Sequence, residues 1–189
     1  MSGLAGKLLI ASPTLKDPNF ERTVVLLCHH DQQGGMGLII NRPRPMTMIE
    51  MFNELNMQQS VAENQRNILS RRQVHEGGPV DPIRGFILHD TARSYEATLR
   101  VHADIHLTAS RDVLEAIAQG NGPDHYLIML GYAGWGAGQL EEELLRNDWL
   151  LASPSPQLLF ETPATQQWLQ ALRTQGIDPA CLSMQPGHA

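Results

Sequence analysis

Apolar residues recur along this chain with two periods, two and three to four, and the changes between them mark out its elements. Residues 7–11 form a short apolar run stopped by Ser12-Pro13, because the residue before a proline is held extended and the proline offers no amide to a ladder. Residues 22–30 read as a central strand. Val24, Leu26 and Cys28 point one way and Val25 and Leu27 the other, so both faces are apolar. Asp31-Gln32-Gln33-Gly34-Gly35 turns the chain, and residues 36–41 return as the hairpin partner until Pro43 ends it.

Thr47 with Glu50 makes a capping box for a helix whose apolar face is Met48, Ile49, Met51, Phe52 and Leu55. Residues 58–73 are polar and read as a long loop or a loose helix. Strand character returns at 83–89, after Gly77-Gly78-Pro79-Val80. From Tyr95 to Leu107 the alternation is unbroken, with His102, Asp104 and His106 on the polar side. Ser110 opens a helix closed by Gly120. The apolar run 126–130 enters a glycine-rich loop, and a helix follows it. A strand at 149–152, a rigid Ser153-Pro154-Ser155-Pro156 connector and a helix opened by Thr162-Pro163 complete the order. That last helix places Trp168, Leu169 and Leu172 on one face and ends at Gly176. Residues 177–189 read as a partly ordered tail. Hairpins mixed with helices, rather than a βαβ series, imply an α+β protein with a mixed, mostly antiparallel sheet.

Length and charge narrow the function classes. A chain of 189 residues is most simply a single domain, 1–189, with a core that needs no staples. No apolar segment is long enough to cross a bilayer and the first residues lack a signal layout, so the expected location is cytoplasmic, with no membrane association. Cys28 and Cys181 form neither a disulfide framework nor a zinc pattern, and both read as small buried hydrophobes. The net charge of −6 disfavours direct binding to DNA, which draws on lysines and arginines. Arg66, Arg71 and Arg72 are the local exception, and a solvated surface is the simpler account of them.

The chemistry concentrates in residues 131–147. Four glycines flank Tyr132 and Trp135, a composition suited to a pocket wall or, alternatively, to a tight connection with Trp135 as a core plug. It is no Walker A loop, because Gly138 is followed by Gln139 and Leu140. Glu141 to Glu143 also oppose a phosphate at the helix start, and no serine supplies a nucleophile elbow. Arg42, beside Asn41 at a strand end, can grip a carboxylate or phosphate, or form an ion pair. The Gly77-Gly78-Pro79 turn can present amides to an anion, or be a plain bend. An enzyme would have to use His30 with Cys28, Glu76 or Glu141. His102, Asp104 and His106 in line would need a second strand to close a metal site, so no metal or other cofactor is expected.

Ala11-Ser12-Pro13, Asp17-Pro18-Asn19-Phe20, His30, the 37–43 segment Gly-Leu-Ile-Ile-Asn-Arg-Pro and Gly77-Gly78-Pro79-Val80 resemble the AlgH/YqgE family of bacterial proteins. So do Gly85-Phe86-Ile87-Leu88-His89, residues 108–114, Gly131-Tyr132-Ala133-Gly134-Trp135, Gly138-Gln139-Leu140-Glu141 and the terminal Gly187-His188-Ala189. The resemblance implies a small barrel-like or bifurcated sheet surrounded by helices. It also implies a regulatory role in alginate biosynthesis, described as transcriptional, without supplying a chemistry. Without a helix-turn-helix or a basic face, such regulation is expected to act through a small molecule or a protein partner. The expected ligand-binding residues are Asn41, Arg42, Gly77, Gly78, Pro79, Tyr132, Trp135 and Gln139, with no catalytic residue among them.

Overall fold

The structure is a computed structural model and describes residues 3–178. Cys181 and the terminal 187–189 motif lie outside the described residues, as does most of the expected tail. The chain forms two compact units, one of residues up to Asn41 with those from Gly134 onward, the other of Arg42–Ala133.

In the first unit the strand order is β10-β1-β2-β3, followed by the end of β9. β1 (Leu8–Ala11) is buried throughout and is antiparallel to both β10 (Trp149–Ala152) and β2 (Val24–Asp31). As the sequence implies, β2 is central and Val24 to Leu27 are fully buried, each worth roughly 1.5–3 kcal/mol of transfer free energy. Asp31 makes the tight turn, its Oδ1 accepting from Gln33 N at 2.7 Å, and β3 (Gly34–Ile39) returns antiparallel. The register slips between Leu27 and His29, leaving Cys28 as the extra residue of a bulge.

The first unit's helices follow their start and stop signals. α4 (Gln139–Leu145) starts from Gly138 at φ +76° and α5 (Ala164–Thr174) ends before Gly176 at φ +74°. On α5, Trp168, Ala171 and Leu172 are buried, and Trp168 Nε1 donates to the Ala11 carbonyl at 2.8 Å; Leu169, expected on that face, is largely exposed. Between the connector and α5 the chain makes a π turn over Gln157–Glu161 that the sequence reading did not anticipate, burying Leu158 and Leu159.

In the second unit β4 (Pro43–Thr47) pairs with β5 (Gln73–Glu76), and β5 runs parallel to β9 (Tyr126–Gly136). β9 is also antiparallel to β6 (Val80–His89), which pairs with β8 (Ile105–Thr108), itself paired with β7 (Thr98–His102). The ladder thus forks at β9, and the parallel β5–β9 pair beside antiparallel ones makes the fold α+β with a mixed, mostly antiparallel, branched sheet. α1 (Met48–Glu54) starts at the expected capping box, with Glu50 N donating to Thr47 Oγ1 and Thr47 N to Glu50 Oε2. Residues 58–73 resolve into a 3-10 turn, Gln58–Ser60, and a short helix, α2 (Glu63–Leu69). α3 (Arg111–Ala118) ends at Gly120, φ +78°.

Three expectations change. The hairpin strand does stop before Pro43, at Ile39, but a further strand, β4, begins there; it contains two prolines and survives because it is an edge strand paired on one side only. The alternating run beyond Tyr95 is a hairpin, turned at Ala103-Asp104, so His102, Asp104 and His106 do not stand in line on one strand. The glycine-rich segment after Leu130 is not a loop, since β9 continues through Trp135 to Gly136.

Candidate functional site

β6 leaves its partner and comes back. Val80 pairs with Tyr132 and Gly85 with Leu130, so four residues of β6, Asp81 to Arg84, stand against one residue of β9, Gly131. Pro82 has no amide to give a ladder, and Asp81 takes φ +47° to start the excursion. Gly131 makes it possible. At φ +76°, a Cβ there would lie 2.5 Å from the Gly78 carbonyl oxygen and 3.3 Å from Pro82 Cα, so only glycine lets the looped-out strand pass.

Beneath the excursion lies a cavity of about 540 Å³, whose lining among the described residues belongs to the second unit. Its floor is two cross-strand pairs, Gly85 with Leu130 and Ile87 with Ile128. One wall is a face of α1, Met51, Glu54 and the C-cap Leu55, with Met57 beyond it; the opposite wall is the start of α3, with Arg111 and Leu114 one turn apart. Met46 and Arg44 of β4 and Ile83 of the excursion complete the rim. The size falls within the usual range for small-molecule pockets, roughly 300–1,000 Å³, and three methionines give the lining side chains that reshape readily. Ile83 is 87% exposed and Leu55 44%, beside a core that buries Ile87 and Ile128.

The polar groups at the rim are few. Arg111 Nε is 3.1 Å from Glu115 Oε1 and is thereby paired, and Glu54 is exposed. Arg44 is half-buried, and its one side-chain hydrogen bond among the described residues is a long one, 3.4 Å, from Nη1 to the Pro82 carbonyl. It pairs with no carboxylate among the described residues. Among the described residues no histidine or cysteine lines the cavity.

None of the eight residues marked in the sequence lines this cavity, and they divide between the units. In the first unit Asn41 is engaged at both ends of its amide, Oδ1 accepting from Val24 N at 2.8 Å and Nδ2 donating to the Arg22 carbonyl at 2.9 Å. Trp135, 6% exposed, packs on Phe20 and Trp149. Gln139 receives Gly136 N on Oε1 and donates from Nε2 to Glu143 Oε1. Glu143 was not singled out in the sequence, yet its Oε2 accepts both Trp135 Nε1 and Trp149 Nε1 at 2.8 Å. The available signal was a carboxylate on the inward face of a helix next to two tryptophans.

In the second unit Gly77 N donates to the Leu130 carbonyl at 2.8 Å, so that amide of the turn is not offered to an anion. Gly78, φ +153°, lies so close to β9 that a Cβ would fall 2.1 Å from the Tyr132 carbonyl carbon. Tyr132 packs edge-on to Phe86, Pro79 is exposed, and the Arg42 carbonyl accepts from Glu76 N at 2.7 Å.

The residues for catalysis or nucleic acid are otherwise engaged. Cys28 is buried, its thiol donates to the Leu26 carbonyl, and burial pushes its pKa up to about 12, which removes it as a nucleophile at neutral pH. His30 Nε2 is 3.2 Å from Glu141 Oε1 but misaligned for a hydrogen bond, while Nδ1 accepts from Leu4 N. Arg72 lies over the Tyr126 ring, 4.0 Å from its centroid, and donates to the Tyr126 carbonyl. Arg66 pairs with exposed Glu63 and donates to the Gln58 carbonyl, and Arg71 is exposed.

Relatives agree on lineage. The model of the AlgH-like family matches residues 8–180. The UPF0301 proteins of Ralstonia nicotianae and Xanthomonas campestris are 44% and 45% identical, over 98% of this chain and 95% and 96% of theirs. The solution structure of the AlgH protein from Pseudomonas aeruginosa superposes with a TM-score of 0.79 at 40% identity, covering 100% of this chain and 97% of that one. A Corynebacterium diphtheriae crystal structure, 20% identical, shares the fold, with a TM-score of 0.73 over 96% of this chain and 92% of its own. With this architecture and these matches along nearly its whole length, the chain belongs to the AlgH-like family.

Proposed function

We propose that this protein is a non-catalytic cytoplasmic binding protein, and that any regulatory role, in alginate synthesis or elsewhere, works through occupancy of the second unit's cavity. The observation that carries the reading is the lining itself: a concave, methionine-rich apolar surface with a few polar groups at its rim and, among the described residues, neither histidine nor cysteine. Such a surface discriminates by shape and hydrophobicity and has no nucleophile–base pair to work with. Of the residues marked in the sequence, Gly77 and Gly78 hold backbone close to β9 in the second unit, where Pro79 is exposed and Tyr132 half-buried.

Thermal-shift screening of the full chain against a metabolite collection tests this, with Gly85→Val as the cavity-filling variant. A Cβ at Gly85 meets only Leu130 Cδ2 at 3.9 Å, so valine fits the backbone yet occupies the floor. Ligands that stabilise the wild type and lose their effect in Gly85→Val support the cavity. Ligands that lose it only in Arg42→Ala or Tyr132→Ala move the site to those residues. Retention in all three variants defeats both assignments.

A further inference from the structure

We propose that the cavity takes an amphipathic monoanion, an unbranched or lightly branched apolar body carrying one carboxylate, with Arg44 as the group that receives the carboxylate. The inference rests on the binding reading above and adds to it the chemistry of the ligand.

The argument is one of charge left over. Three charged side chains border the cavity, and two of them are accounted for without a ligand. Arg111 is held by Glu115 one helical turn away. Glu54 stands exposed at the end of α1, where water screens it at little cost. Arg44 differs from both. It is half-buried between the apolar rim residues of β4 and the β6 excursion, and its long hydrogen bond to the Pro82 carbonyl neutralises no charge. A guanidinium presents a planar fork of donors that matches a carboxylate two bonds at a time. The rest of the cavity has few donors and acceptors: its floor is Gly85, Leu130, Ile87 and Ile128, and its α1 wall is mainly Met51, Leu55 and Met57. A ligand that satisfied only the lining would leave the cation unmatched, and one that satisfied only the cation would leave the apolar surface wet. A carboxylate on an aliphatic body satisfies both, and the flexible methionines tolerate variation in that body.

The test uses three probes of one apolar body, octanoate, 1-octanol and octylammonium, titrated into the full chain at pH 7.5 and followed by calorimetry and by amide chemical shifts. Octanoate is expected to bind at least tenfold more tightly than 1-octanol, to shift amides of β6, α1 and β4, and to lose that advantage in Arg44→Gln, whose 1-octanol affinity stays unchanged. Gly85→Val is expected to weaken octanoate and 1-octanol alike. Equal affinity for octanoate and 1-octanol, with both lost in Gly85→Val, overturns the carboxylate assignment and leaves the binding reading standing. A preference for octylammonium overturns it with the opposite sign and assigns the head group to Glu54. No binding by any probe, with the protein folded by its amide spectrum, overturns the proposal together with the cavity as a site for aliphatic ligands.

Discussion

Single residues here are explained by what their polar atoms are paired with. Glu143 is the clearest case: one carboxylate oxygen accepts two buried indole N–H groups and the other accepts the Gln139 amide. Removing it leaves two buried donors unpaired, at roughly 1–3 kcal/mol each. Glu143→Ala is therefore expected to lower stability by roughly 2–5 kcal/mol in urea unfolding followed by tryptophan fluorescence. Glu143→Gln keeps an acceptor in place and is expected to recover most of that loss; equal losses would mean that the oxygens are not what matters. Cys28 illustrates the reverse inference, from composition to reactivity. A thiol two residues from a histidine is the minimum for nucleophilic chemistry, but burial in a strand with both faces covered holds it protonated. Iodoacetamide at pH 7.5 is expected to leave Cys28 unmodified in the native protein and to label it fully in 6 M-scale denaturant, roughly the range that unfolds even hyperstable domains. Native labelling at Cys28, read by peptide mass spectrometry, would revive the catalytic alternative.

At the scale of elements, what decides the glycines is the backbone that lies next to them. Gly78 and Gly138 both have positive φ, but a Cβ at Gly78 would meet the backbone of β9 at 2.1 Å while one at Gly138 meets nothing within 4 Å. Gly138→Ala should cost only the conformational strain, about 1–2 kcal/mol. Gly78→Ala adds a backbone collision and should cost roughly 3 kcal/mol or more. Comparable unfolding midpoints for the two variants would show that the close approach of β5, β6 and β9 is not as described. The same contrast explains what the sequence made legible. The capping box at Thr47, the doubly apolar β2 and the glycine stop after α5 are local signals, and each element stands where they place it. A two-residue turn leaves alternation unbroken, so the β7–β8 hairpin was hidden inside one apparent strand. β4 was hidden by its prolines, which only an edge position excuses. The glycine-aromatic segment has the composition of a loop, yet Gly131 serves close strand packing and β9 runs through it to Gly136. The cavity itself had no sequence signature. It is a space left where β6 swings out, bounded by residues from Arg44 to Leu130, and a vacancy has no residue type.

Over the whole molecule the charge balance is acidic, with Arg72 held on Tyr126 and Arg66 near Glu63, and electrostatics also set how stability depends on pH. Histidines dominate that dependence in mildly acidic solution. Burial, reinforced by the nearby positive charge of Arg72, pushes His75 down to about 4 from its ordinary 6.5. Burial likewise lowers His89, which is held between the Asp90 carbonyl and Thr108 Oγ1. In the folded chain these rings stay neutral while in the unfolded chain they protonate near 6.5, so between those limits the unfolded state binds more protons. Stability is therefore full above about pH 6.5, falls as the pH drops toward 4, and below that gains no further loss from His75 because both states then carry the proton. The His75 contribution across that window is about 3 kcal/mol, from the size of its shift. His75→Leu, which keeps the site apolar, is expected to flatten the urea-midpoint profile between pH 6.5 and 4 by about that amount and to leave the slope owed to His89. An unchanged profile in the variant would place the acid sensitivity in the carboxylates instead, whose window opens lower, where Asp31 and Glu50, held below their usual range by backbone hydrogen bonds, begin to protonate.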